Sequence, residues 1–247
     1  MAEATATRAD IARLFGRAAF GATNADLDFW TGKPYVDAVD HLLTGPDAPE
    51  LEDGVTELYR QTLQLSGNLE AHQHWWMEQM RTTSWPLRER MTLFWHNHFA
   101  TAVTGENRPD PYMLMQQTNT LRLKGLGNFR DLVAAMNVDE AMLHWLDGAQ
   151  SAPPKPNENY AREFFELFTL GKSPQVYSEG DIREAARAFT GWQPSGTEGS
   201  FNANRHDHGA KHVLGVTVPD LGAAEHLEIM QIALRQPVAY RFIAWKL

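Results

Sequence analysis

Four short segments of this chain carry side chains able to do chemistry. The first is Trp95-His96-Asn97-His98-Phe99, two imidazoles and an amide inside a bulky apolar stretch. Residues two apart on a helix lie about 200° around its axis, so His96 and His98 cannot both face one ion unless the helix has unwound. One imidazole is then a metal ligand or proton carrier, or both are buried groups tied to carboxylates and carbonyls.

The second segment runs from Asn157 to Leu167. Glu163 and Glu166 project from one helix face and repel unless a cation, a proton or an arginine intervenes. Arg162 stands four residues from both Glu158 and Glu166, which also fits a solvated face laced by ion pairs. Phe164, Phe165, Leu167 and Phe168 leave little room for such a face. The third segment, Asp181 to Arg187, repeats the acid-at-three spacing. Asp181 suits a helix N-terminus, and Glu184 with Arg187 forms the more buried pair. The fourth is His206-Asp207-His208-Gly209-Ala210-Lys211-His212. In extended chain His206 and His208 point the same way, as chelation of one ion requires, and Asp207 is placed to hold an imidazole. The competing reading is an exposed His-rich loop.

Other chemistries find no purchase. A glycine-rich phosphate loop, a dinucleotide fingerprint, a Gly-x-Ser-x-Gly elbow and a His-Glu-x-x-His motif are all missing. With no cysteine, a transition metal has only His, Asp and Glu to bind. The net charge of −9, without a basic block, argues against nucleic acid as a partner. No run approaches the roughly 20 apolar residues of a membrane span, and Met1 to Asp10 lacks the form of an export signal.

The elements that must position these groups read as helices. Ile11, Leu14, Phe15 and Ala18 make an apolar stripe that stops at Gly21. Thr23 to Asp26 and Ser178 to Asp181 have the form of capping boxes. An acidic linker follows from Pro46 to Gly54, then a long helix or a pair broken at Gly67. Pro86 opens the His96 helix and a polar loop spans Gly105 to Pro111. Asn157 caps a helix predicted to reach Leu170. Residues 195–218 break the pattern, with alternation at Leu214, Val216 and Val218 predicting at most a small hairpin. The final helices split at Pro237, and the last ends inside an apolar pattern, which reads as a chain interrupted.

Taken in order, these segments resemble the domain-of-unknown-function 1800 family of bacterial proteins. The resemblance rests on Arg17 to Gly21, Pro86 to Phe99, Leu126 to Arg130, Asn157 to Gly171, Tyr177, Asp181, Ala188 to Trp192, and His206-Asp207 with Gly209 and Lys211. It implies a C-terminally truncated member, because relatives are usually longer and many carry an export signal. A missing C-terminal half of the same protein would then be a partner. His208 and His212 match no motif of the family.

The sequence therefore predicts one mainly α-helical domain over 1–247, a multi-helix bundle with an irregular excursion near 195–218. Its functional expectation is a metal-dependent, hydrolase-like site where the His96 helix, the Glu163/Glu166 helix and the His206 loop meet. His96, His98, His206, Glu166 and Asp207 would be metal ligands, for zinc, manganese or iron. Glu163 would be the general base or a further ligand, with Asn159 and Arg162 holding substrate. The alternative is a non-catalytic envelope-associated or assembly protein whose buried polar motifs fix helix packing.

Overall fold

Apolar residues three and four apart wind most of the chain into helix, and polar caps decide where each helix starts. The computed structural model describes residues 4–46, 54–66, 68–103, 108–173, 175–196 and 198–247. Most of the acidic linker, the break at Gly67 and part of the Gly105 loop lie outside the described residues. Thirteen α-helices and two two-stranded antiparallel ladders occur among those described, so the fold is mainly α. No described helix is long and apolar enough to cross a membrane.

The chain folds as two compact units, residues 1–95 and 96–247. In the first, helices Arg8–Ala18, Asn24–Trp30 and Tyr35–Thr44 enclose Ile11, Phe15, Trp30, Ala38 and Leu42. Thr23 and Asp26 form the expected capping box, each side chain satisfying a backbone N–H that the first helical turn leaves free. The helix Pro86–His98 carries the chain on into the second unit.

In the second unit the stretch predicted as one helix from Asn157 is two kinds of helix. Asn159–Glu163 is α, and Phe164–Thr169 is a π-helix. Leu170 N donates to the carbonyl of Phe165 and Thr169 Oγ1 to that of Phe164, both five residues back. Such wider turns hold one residue more than an α turn and recur at functional sites. Phe164, Phe165 and Phe168 are buried there, with Tyr160 and Phe189 edge-on to one another at 5.0 Å. The helix Glu225–Leu234 packs on Phe129–Met136.

The irregular excursion contains more pairing than expected. Trp192–Gln193 pairs with Ser200–Phe201, and Lys211–Val213 pairs with Val216–Val218. The second hairpin turns at Leu214 and Gly215, both with positive φ (51° and 79°), a backbone whose twist matches the strands it joins. Leu214 therefore serves the turn, not the strand. Alternation buries Lys211 and Val213 on one face and exposes His212 on the other.

Candidate metal centre

The helix Glu179–Ala188 is the frame of the His206 region. Ser178 and Asp181 cap it reciprocally, as the sequence predicts. Two of its three carboxylates also serve the hairpin, since Glu184 accepts from His212 N at 2.9 Å and Asp181 from Leu214 N at 2.6 Å. Arg187, on the last turn, grips Asp207 with two parallel bonds of 2.9 Å, holds Glu184 at 2.8 Å and donates to the Ala210 carbonyl. That fork keeps the Asp207 carboxyl below the usual carboxylate range and the guanidinium pKa above its own. Gly209 has no Cβ because one would collide with the same guanidinium.

His206 follows from this clamp. Thr190 Oγ1 donates to the Arg187 carbonyl and accepts from Asp207 N, tying the backbone just after the imidazole to the end of the helix. The adjacent Gly191 has φ 93°, and a Cβ there would press on the Asn202 carbonyl at 3.0 Å and on His206 at 3.2 Å. His206 Nδ1 donates to the Thr190 carbonyl at 2.9 Å. In the neutral tautomer that this bond selects, the lone pair is on Nε2. That nitrogen is buried, makes no hydrogen bond, and lies 3.2 Å from Glu225 Oε1. A carbonyl on one imidazole nitrogen is the usual way a protein aims the other at a metal.

Glu225 opens the helix Glu225–Leu234, and its side chain is fully buried. Oε1 accepts from Leu221 N at 3.1 Å, while Oε2 lies 2.6 Å from Lys211 Nζ. The ammonium of Lys211, itself buried, also donates to the carbonyl of Asp207. Asp220 completes the group. One ligand atom from each of His206, Asp220 and Glu225 falls within 4.8 Å of the other two. Asp220 is 41% exposed and accepts from His208 Nδ1 at 2.8 Å, while His208 Nε2 donates to the Ala203 carbonyl at 3.0 Å. Those acceptors raise the His208 pKa, Asp220 foremost, and His208 in turn lowers that of Asp220.

The other sequence-predicted residues lie among different partners. His98 Nε2 donates to the Phe168 carbonyl at 3.0 Å, and Nδ1 accepts from Lys246 Nζ at 3.2 Å. Lys246 also reaches the Leu167 carbonyl at 3.3 Å, so both residues serve carbonyls at the end of the π-helix. Burial, aided by the Lys246 charge, pushes the His98 pKa down to about 4. His96 is half-buried and burial lowers its pKa as well.

Arg162 gathers Glu179 at 2.7 Å, Glu158 at 3.3 Å and Glu166 at 3.7 Å, so both expected i,i+4 pairs form. Glu166 also meets Lys172 at 3.8 Å. Glu163 belongs to the same patch. Its pKa is raised by burial first and by Glu166 second. Asn159 instead donates to Asp147 at 3.3 Å. A cavity of about 380 Å³ opens beside this patch, lined by Glu166, Lys172, Ser173, Tyr177, Ser178 and Glu179.

The structure thus joins His206 to Glu225, Lys211 and Asp220, and Arg162 to Glu163 and Glu166, as two separate groups. Sequence reasoning does not reach Glu225, Asp220 or Lys211 as site residues. Chain pattern offers one faint signal for Glu225, an acid at the start of an apolar helix, and that spacing equally describes an ordinary helix N-terminus.

A family model described as "Protein of unknown function (DUF1800)" matches residues 13–247. The chain belongs to the DUF1800 family. The matched span includes the capped Glu179 helix, the His206 loop, the hairpin and the Glu225 helix. No curated protein and no solved structure is significantly similar to the chain.

Proposed function

We propose that this DUF1800 member is a metal-dependent, hydrolase-like enzyme whose cation is held by His206, Asp220 and Glu225. The supporting observation is the buried Nε2 of His206, without a hydrogen bond and 3.2 Å from a carboxylate oxygen. Two ligands each about 2.1 Å from one ion stand roughly 3.0–3.4 Å apart at angles between octahedral and tetrahedral. The His206–Glu225 separation falls in that bite. One imidazole and two carboxylates suit zinc, manganese or ferrous iron.

Three protein ligands leave coordination positions open, the arrangement of catalytic rather than structural zinc. Two ligands are fully buried and Asp220 is half-exposed, so the open side faces solvent. A bound ion there would acidify a water and polarise an ester, amide or phosphoryl oxygen. Asp207 acts from outside the coordination shell in this reading. Its carboxylate is taken by Arg187, and its backbone carbonyl holds Lys211.

A second reading, a protein without catalysis whose buried ion pairs fix its packing, draws on the Lys211–Glu225 contact of 2.6 Å. That contact neutralises Glu225 without any metal. Elemental analysis of protein purified without a histidine tag separates the two. The enzyme reading expects one divalent ion per chain in the parent and in His98→Ala, and none in His206→Ala. It further expects cleavage of activated aryl or phosphate esters that a chelator abolishes. A parent protein that takes up no zinc, manganese or iron at micromolar concentration would leave the packing reading standing.

A further inference from the structure

We infer that Lys211 is a resident cation of the metal centre, one that fixes Glu225 as a single-oxygen ligand and keeps the bound ion exchangeable. This inference rests on the metal reading of His206, Asp220 and Glu225. It concerns a residue that reading does not need.

Lys211 is 1% exposed, although strand alternation could have placed its charge in water by a shift of one residue. Burying an ammonium is costly unless it is paired and hydrogen-bonded. Here it is both: Nζ donates to the Asp207 carbonyl and lies 2.6 Å from Glu225 Oε2. The two carboxylate oxygens therefore face different partners. Oε2 is held by Lys211, and Oε1 is turned toward His206 Nε2. With Oε2 engaged, an ion beside His206 gains one oxygen from Glu225 and not two.

Charge points the same way. Asp220 and Glu225 bring two negative charges; His208, donating from both ring nitrogens, offsets Asp220 at the exposed edge, and Lys211 cancels the buried Glu225 before any metal arrives. A divalent ion entering beside His206 then meets a positive charge on the far side of the carboxylate it must share. The carbonyl of Asp207 completes the arrangement, because the Arg187 fork that holds its carboxylate also sets the position of that carbonyl. The result is a centre that binds its ion less tightly than its ligand set alone would.

The test is zinc binding by competition with a chromogenic chelator, run on the parent, Lys211→Met and the double variant Lys211→Met with Glu225→Gln. Lys211→Met keeps the aliphatic stem and removes the charge. It should bind zinc at least tenfold more tightly than the parent and release it more slowly. Its melting temperature should also rise more on zinc addition, since Glu225 then lacks its ammonium. The double variant should be as stable as the parent without metal and should lose tight binding. If Lys211→Met does not fold, Lys211→Gln, which retains a donor for the Asp207 carbonyl, carries the same comparison. Equal or weaker zinc affinity in a folded Lys211 variant overturns the inference while leaving the metal reading intact. Absence of zinc binding in the parent and in every variant overturns the metal reading, and this inference falls with it.

Discussion

His98 and His206 are buried to the same degree, each 4% exposed, yet they use their second nitrogen in opposite ways. Both donate one N–H to a backbone carbonyl, His98 to Phe168 and His206 to Thr190. At His98 the remaining lone pair is met by the Lys246 ammonium. At His206 the buried ammonium of Lys211 goes to the neighbouring carboxylate instead, and the imidazole Nε2 lies 3.2 Å from Glu225 without a hydrogen bond. Burial and residue type do not distinguish a structural imidazole from a ligand. In the metal reading proposed above, the destination of the nearby lysine does.

The sharpest way to break this comparison is to remove each ring. His98→Ala should keep whatever metal the chain binds but lose about 2–4 kcal/mol of stability, from a cavity plus an unmatched carbonyl at the end of the π-helix. His206→Ala should lose the metal entirely. Denaturant melts and metal content measured on both proteins decide the matter. Metal loss in the His98 variant, or metal retention in the His206 variant, reverses the roles assigned here.

How much of this is legible in the sequence depends on how far apart the partners lie. Capping boxes at Thr23 and Ser178 can be read directly, because donor and acceptor are three residues apart. The Glu158–Arg162–Glu166 pairs are equally legible for the same reason, since helical spacing alone brings them together. The π-helix is not, because one extra residue in a turn leaves the apolar period of Phe164, Phe165 and Phe168 nearly unchanged. The partners that fix the surroundings of the two imidazoles are remote: Asp207 and Arg187 are 20 residues apart, His98 and Lys246 are 148 apart. His206 stands out by its residue type, but Asp220 and Glu225 look like any loop acid and any helix-start acid. Lys211 is the most hidden, since a lysine in a short hairpin is normally placed on the wet face.

A gentler test uses pH. The His98 pKa in the folded protein is about 4, against an ordinary value of 6.5. Below pH 6.5 the unfolded chain takes up a proton at this position that the folded chain refuses until about pH 4. The stability linked to His98 is therefore full above pH 6.5 and is lost as the pH falls toward 4. His98→Gln can still donate an N–H to the Phe168 carbonyl but does not titrate. Between pH 6.5 and 4.5 the parent should lose about 2 kcal/mol more stability than this variant. His226, also lowered to about 4 by burial, titrates alike in both proteins and cancels from the difference. Parallel pH–stability curves would mean that the His98 ring titrates alike in the folded and unfolded chain.

The smallest effect separates burial from charge at the same ring. Lys246 is half-buried and touches both His98 Nδ1 and the Leu167 carbonyl. Replacing it with methionine removes the ammonium, which sits 4.7 Å from the Phe242 ring centroid, while keeping an apolar side chain of similar length. Stability should change by less than about 1 kcal/mol, as for other partly exposed charged contacts. The His98 pKa should nevertheless rise, because the ammonium is one of the two causes holding it down. It should stay below 6.5, because burial is the larger cause and remains. Titration of the imidazole resonances by NMR reads this directly. An unmoved pKa would show that Lys246 contributes nothing to keeping the ring neutral, and the contrast with Lys211 would then rest on geometry alone.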